Sequence, residues 1–521
     1  MTSTEIGDEG RSPHRRSGGR AGHERHLLPQ QRPWAQPRMT YGPTSVVSAD
    51  ELESIHVASL RVLSEIGMDF LDPDAREILR GAGAHIEPDS QRVRFEPGMV
   101  EELIKTAPSE FTLHARNPAY DVRIGGDWVA FGTVGSPPNV ADLDRGRRIG
   151  NRADYQNLLR LAQSLNAIHF LSGYPVEPVD LHHGVRHLHA TFDALTLMDK
   201  AVHCYSLGRQ RNIDVLEMVR IARGVDSATI DREPSVFTVV NSSSPLRLDT
   251  PMLQGIMEFA AHNQIVCITP FTLAGAMAPV TLAGALAEQN AEALAGMVLT
   301  QAVNPGAPVI YGGFTSNVDM QSGAPAFGTP EGMRTAMIGG QLARRYGVPY
   351  RSSNVNAANA LDAQAAYESV FSLWGAIMGG VNLVMHGAGW MEGGLHASYE
   401  KMILDAELLG MVSAFLDPVV VDHETLAFDA IQEVGPGGHF FGAEHTQSRF
   451  RTAFHKPMLS DWRNYETWQE AGSPELPSKA NRIWKELLAA YEPPPMDPAI
   501  LEELEAFVAR RVAEGGVPTD Y

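Results

Sequence analysis

Short apolar runs alternate with longer amphipathic stretches along most of this chain. Runs at 128–134, 167–171, 201–205, 236–240, 265–268, 308–311, 348–351 and 381–385 read as eight buried strands. Their starts recur roughly every 30–42 residues, room for a strand, a loop, a helix and a return loop. Helical spacing fills the intervals at 151–165, 212–223, 251–262, 282–303, 330–346 and 363–379. Each run ends in small, polar and aromatic residues, as in SGYPVEP, NSSSPL, GGFTSN, SSNVNAAN and HGAGWMEGG, while the turns at the opposite ends lack them. A barrel gathers its functional loops at the carboxyl ends of its strands in this way. A doubly wound sheet gives the same alternation but needs no eighth unit. The pattern therefore predicts an α/β fold, a TIM (β/α)8 barrel over residues 126–395.

The flanks differ in character. Ser48-Ala-Asp-Glu51 is a capping box, followed by apolar residues at near-helical spacing, so residues 46–125 read as an N-terminal helical region. Residues 396–521 read as C-terminal helices and a cap. Residues 1–45 carry seven arginines against four acids, with several prolines and no apolar core of a signal segment, and read as a disordered tail. Over the whole chain the formal charge is −20, which disfavours nucleic acid and anionic membrane surfaces as partners. The two cysteines, Cys204 and Cys267, sit in apolar runs and fit buried thiols of a cytoplasmic protein.

Several chemistries lack their residues. His183 and His187 stand four apart near His182 and His189, but no acidic or cysteine ligand is close in sequence, so no metal site is expected. His439 and His445 fit a loop or interface. The serines of Asn241-Ser-Ser-Ser244 and Arg351-Ser-Ser353 do not match a nucleophile elbow. No lysine lies at a strand end for Schiff-base chemistry. Phosphate or flavin binding at Gly387, Gly389, Gly393 and Gly394 has only Arg351 as a nearby cation. What the loops do hold is aromatic surface with scattered acids: Tyr174, Tyr205, Phe271, Tyr311, Phe314, Phe327 and Trp390, with Asp362, Glu368 and Glu392. Aromatic faces attract quaternary ammonium groups. Trp374, inside a helix, fits packing.

GAGWMEGGLHASYEKMILDAELLG, GPGGHFFGAEHTQSRFRTAFHKPMLSDW, SSNVNAANALDAQAAYES and GGFTSNVDMQSGAPAFGTPE resemble the trimethylamine/glycine betaine corrinoid methyltransferase family. The likeness runs from about residue 45 to 490. It implies a TIM barrel and methyl transfer from an amine to the Co(I) corrinoid (cobalamin) of a separate carrier protein, with no tightly bound cofactor. Trimethylamine-specific members carry pyrrolysine at the barrel centre. No nonstandard residue occurs here, which favours a quaternary amine resembling glycine betaine. Glu392, His386 and Asp362 are then the catalytic candidates. Trp390, Tyr311, Phe314 and Tyr205 are expected around the ammonium, and Arg351, Asn354 and Asn356, with His386, around a carboxylate. A homo-oligomer is expected. A flavin- or phosphate-binding barrel enzyme and a non-catalytic amine-binding barrel are the alternatives.

Overall fold

The computed structural model describes residues 29–518. Seven parallel strands form the central sheet: β1 (Ala130–Thr133), β2 (Val202–Tyr205), β3 (Val236–Val240), β4 (Ile265–Ile268), β5 (Val309–Gly312), β6 (Tyr350–Ser353) and β7 (Leu383–Ala388). Their order is β1-β7-β6-β5-β4-β3-β2, each neighbour but one being the next in sequence. Alternate residues face opposite ways. Ala130, Phe237, Ile265, Cys267, Ile310, Leu383 and Met385 pack together as an inner core. Val202, Val236, Val240, Ile268, Val309, Tyr311 and Val384 join the larger core beneath the helices.

The run at 167–171 is not a strand, and by its ladders the sheet is open. Phe170 makes only single bridges, to Gly132 and Ala201, which join the two edges. Three side chains account for the missing ladder. His169 Nδ1 takes the N–H of Phe131 at 2.9 Å, a donor a neighbouring strand would otherwise use. The Phe170 ring and Ser172 hydroxyl occupy the space where a Cβ of Gly132 would lie. The run expected at 348–351 forms two residues later, because Pro349 has no N–H to give a ladder.

Helices α1 (Arg152–Ser164), α2 (His183–Leu197), α3 (Arg209–Arg223), α4 (Thr250–Ala261), α5 (Leu282–Val303), α6 (Pro330–Tyr346), α7 (Ala363–Met378) and α8 (Tyr399–Leu416) cover the sheet. Side chains of Asn151, Asp249, Thr329, Asp362 and Ser398 accept backbone N–H bonds at their helices' first turns. Helices α9 (Leu476–Ala489) and α10 (Pro498–Ala513) pack outside α8 and α1, and α2 and α3, respectively. No described helix is long and apolar enough to cross a membrane.

Two expectations for the flanks need correction. The region 46–125 is mixed rather than helical. Besides three α-helices it holds Met68–Phe70, which pairs with Arg92–Arg94 and with Arg247–Leu248, and a hairpin of Glu110–Leu113 with Val122–Gly125. These strands are too short to reveal a period in sequence. Of the tail at 1–45, residues 1–28 lie outside the described residues. Residues 29–45 are an ordered strap: Gln36 bonds the main chain of Arg123, Arg38 pairs with Asp127, and the N–H of Thr44 donates to Met378 O.

Candidate active site at the strand ends

Inward-facing residues near the carboxyl ends of the strands form the site. Arg351 of β6 is buried, and its Nη1 donates to Gly313 O at 3.3 Å. Its guanidinium carbon lies 5.3 Å from the centre of the Phe314 ring, while its Nε has no partner. No carboxylate among the described residues neutralises it, and burial pulls its pKa down to about 10. At neutral pH it is a desolvated cation without a counter-ion, an unusual state for a buried charge.

His386 sits where the β7–β1 register shifts, with φ of +55°. Such an irregularity at a strand end re-aims a side chain. Its Nδ1 lies 3.3 Å from Ser353 Oγ and its ring 4.2 Å from Trp390. Burial, then the charge of Arg351, then His203 push its pKa well below the usual value, so it is a neutral imidazole.

Across the sheet, His203 and Tyr205 project from β2, with ring centres 4.8 Å apart. His203 is buried, neither ring nitrogen has a partner, and burial alone takes its pKa to about 3. The Tyr205 hydroxyl accepts the N–H of Tyr174 at 2.8 Å and pairs with Ser136, and the two tyrosine rings lie 4.7 Å apart. A cavity of about 280 Å³ opens here, lined by Tyr174, Glu177, His183, Arg186, His203 and Tyr205, among others. Desolvation raises the Glu177 carboxyl to about 7, with Arg186 only partly opposing it from 3.5 Å. The carboxyl ends of β6 and β7 thus hold a bare cation, and that of β2 holds two aromatic rings with a titrating acid nearby, His203 acting electrostatically on His386 between them.

Trp390, expected around the ammonium, stands instead in an aromatic cluster. Its ring meets His386, Phe314 and Phe327, and its Nε1 donates to Asn356 O at 3.2 Å. Only about 40 Å³ is free between Phe314, Phe327 and their neighbours, room for about three waters at roughly 10–15 Å³ each. Asn356 returns a bond to Trp390 O at 2.6 Å, and Asn354 donates to Gly387 O at 2.9 Å. Through their amide N–H groups both asparagines hold the loop after β7, while the buried Oδ1 of each has no partner. Behind them the buried Lys401–Asp405 pair accepts the N–H of Gly389. The amides of Glu392 and Gly393 bond Ala358 O and Asn356 O, so with Gly389 three N–H groups of the loop are spent within the chain and are withdrawn from any phosphate cradle.

Three more expectations change. Tyr311 is wholly buried on the helix side of β5, where its hydroxyl bonds Gln289 and Asn290, because odd and even strand positions face opposite ways. Asp362 caps α7 on the surface by accepting from Gln364 and Ala365. Glu392 is held by Arg147 at 2.7 Å and His396 at 2.8 Å, and these two partners keep its carboxyl below the usual range. His187 bonds Asp214, which Arg511 also pairs, and no metal-sized group of three or more His, Cys, Asp or Glu occurs among the described residues. His203 and Glu177 were missed. Alternation from Tyr205 would have put His203 on the same face, and Glu177 lies in the loop already singled out as SGYPVEP.

A curved parallel sheet wrapped by helices, with unspent polar groups at its carboxyl ends, defines an α/β protein built to bind a small molecule there. The chain belongs to the trimethylamine methyltransferase (MTTB) family, whose sequence profile matches residues 13–516. It is 39% identical over 473 residues to a glycine betaine methyltransferase of Desulfitobacterium hafniense, covering 91% of this chain and 98% of that one. A trimethylamine methyltransferase of Methanosarcina mazei is 30% identical over 471 residues, covering 89% and 94%. The crystal structure of the Methanosarcina barkeri monomethylamine methyltransferase superposes with a TM-score of 0.48 at 11% identity, covering 88% and 97%.

Proposed function

We propose that this protein is a cytoplasmic methyltransferase that demethylates a carboxylated quaternary amine of the glycine betaine kind. The acceptor is the Co(I) corrinoid of a separate carrier protein. The sheet, with residues 167–171 joining its edges, works as a (β/α)8 barrel whose open end receives that carrier. The observation that carries the reading is Arg351, a buried guanidinium with no carboxylate partner. A substrate carboxylate supplies the missing charge, with Nε free to donate and neutral His386 beside it. The ammonium end falls to Tyr174, Tyr205 and Glu177 in the cavity at β2.

The chain's residues bind and orient; the cobalt supplies the nucleophile. A methyl carbon moves from nitrogen to Co(I), the electron pair of the broken C–N bond stays on nitrogen, and a neutral tertiary amine leaves as the metal becomes Co(III). No proton is transferred, consistent with a site whose histidines are held neutral. Holding one N-methyl in line with the cobalt is the main contribution of the protein. The 39% identity to a glycine betaine methyltransferase supports the same substrate class. The test mixes the purified chain, a competent Co(I) carrier and a panel of betaines, following methyl-Co(III) by absorbance. Conversion with a carboxylated quaternary amine is expected. No conversion across the panel would sink the proposal, and binding without conversion would favour a non-catalytic amine-binding protein.

A further inference from the structure

Helix α7 buries one face against the barrel through Ala365, Leu373, Ala376 and Ile377. Its other face is also apolar: Tyr367, Val370, Phe371 and Trp374, at helical spacing, are all exposed. The stripe continues sideways, for Trp374 meets Phe415 of α8 at 5.0 Å and Phe415 meets Tyr41 at 5.2 Å. A second apolar feature lies just beyond α8. Between residues 417 and 458 the chain forms an arm whose hydrogen bonds, among the described residues, all run within residues 418–457. Val419, Val421, Phe428, Phe441, Phe450 and Phe454 on this arm are between 57% and 83% exposed. A water-soluble monomer rarely shows one apolar patch beyond a few hundred Å².

We infer that these two surfaces are halves of one interface, and that the arm of one copy of this chain lies on the α7–α8 face of a second copy, reciprocally, about a two-fold axis. The occupant follows from the chain itself. It carries both an apolar face with nothing on it and an apolar arm with nothing beneath it, so one isologous pairing covers both twice. At roughly 100 Å² per large, partly exposed side chain, the twelve named residues of face and arm together present on the order of 1,200 Å² per copy, above the ~800 Å² per partner of a standard stable interface. Charge permits the pairing of two like chains. Residues 418–457 hold five acids and three bases, so little of the chain's −20 sits on the arm. Depletion of charge at the centre is what such interfaces share.

The experiment measures the mass of the full-length protein by light scattering after gel filtration at micromolar concentration, with and without substitutions on either half. Wild type should run as a dimer or a multiple of one. Phe371→Asp with Trp374→Glu, on the face, and Phe441→Asp with Phe454→Asp, on the arm, should each give monomer with an unchanged circular dichroism spectrum. Mixing the two variants should partly restore dimer, because the intact arm of one meets the intact face of the other. A monomeric wild type overturns the inference on its own, whether or not a variant folds. So does dimer mass retained in both variants, or failure of the mixture to associate. A wild type that is monomeric alone but takes up the corrinoid carrier through this face assigns the surface to that partner instead.

Discussion

Replacing Arg351 with methionine separates a ligand-binding residue from a structural one. Burial lowers the guanidinium to about 10, and the depression is worth about 3 kcal/mol against the charged form, at about 1.4 kcal/mol per pKa unit. Exposure is only 2%, so solvent screening does not dilute that cost. Against it stand one bond to Gly313 O, about 1 kcal/mol, and the contact with Phe314, about 1 kcal/mol. Methionine of similar length removes all three, leaving the unliganded variant about 1 kcal/mol more stable. Binding should move the other way. A carboxylate that loses its buried partner costs about 2–5 kcal/mol, at least thirtyfold in the dissociation constant for glycine betaine. Tetramethylammonium, with no carboxylate, should bind both proteins alike. Calorimetric titration and denaturant unfolding read the two quantities. Because the cation is already weakened by burial, affinity in the native protein should fade as pH rises through about 10. Unchanged glycine betaine affinity, or equal loss for both ligands, would refute the assignment, as would destabilisation by 3 kcal/mol or more.

Glu177 should impose a pH dependence near neutrality. Its carboxyl is held up to about 7 by burial, and only the ionised form attracts an ammonium, so quaternary-amine affinity should rise as pH climbs through that value. Glu177→Gln should flatten the titration and weaken binding at pH 8 by at least ~1.5 kcal/mol; a profile unaltered by the change would remove Glu177 from the site. Trp390→Ala should lower stability by about 3–5 kcal/mol as its aromatic neighbours lose their packing; a loss confined to binding, with unfolding unchanged, would return Trp390 to the ammonium site. Asp362→Ala should cost about 1 kcal/mol of stability through its helix cap and leave methyl transfer intact; a hundredfold fall in turnover would reinstate it as catalytic.

Periodicity carried the fold a long way, because strand and helix repeats are local. The runs at 236–240 and 265–268 coincide with β3 and β4, and the helices between the strands follow their apolar spacing. The run at 167–171 failed for a reason no local pattern holds. Whether it pairs depends on where the His169 and Phe170 rings and Gly132 meet, across some forty residues of chain. Arg351 was visible as a lone cation at a strand end. What made it informative, the absence of any carboxylate around it, is a property of its surroundings.

The sequence by itself determined the succession of strands and helices, the loops that carry chemistry, and the family motifs, since these rest on spacing and on residue identity. Only the tertiary structure decided which side chains of those loops are spent. Tyr311 and Tyr205 look alike in sequence, yet one bonds Gln289 and Asn290 beneath α5 while the other borders a cavity. Glu392 and Asp362 have found partners elsewhere in the chain, whereas Arg351 and His203, and the Oδ1 atoms of Asn354 and Asn356, have unmet hydrogen-bonding capacity. Ligand binding draws on groups left unsatisfied when folding is complete, and satisfaction is settled by contacts between distant segments.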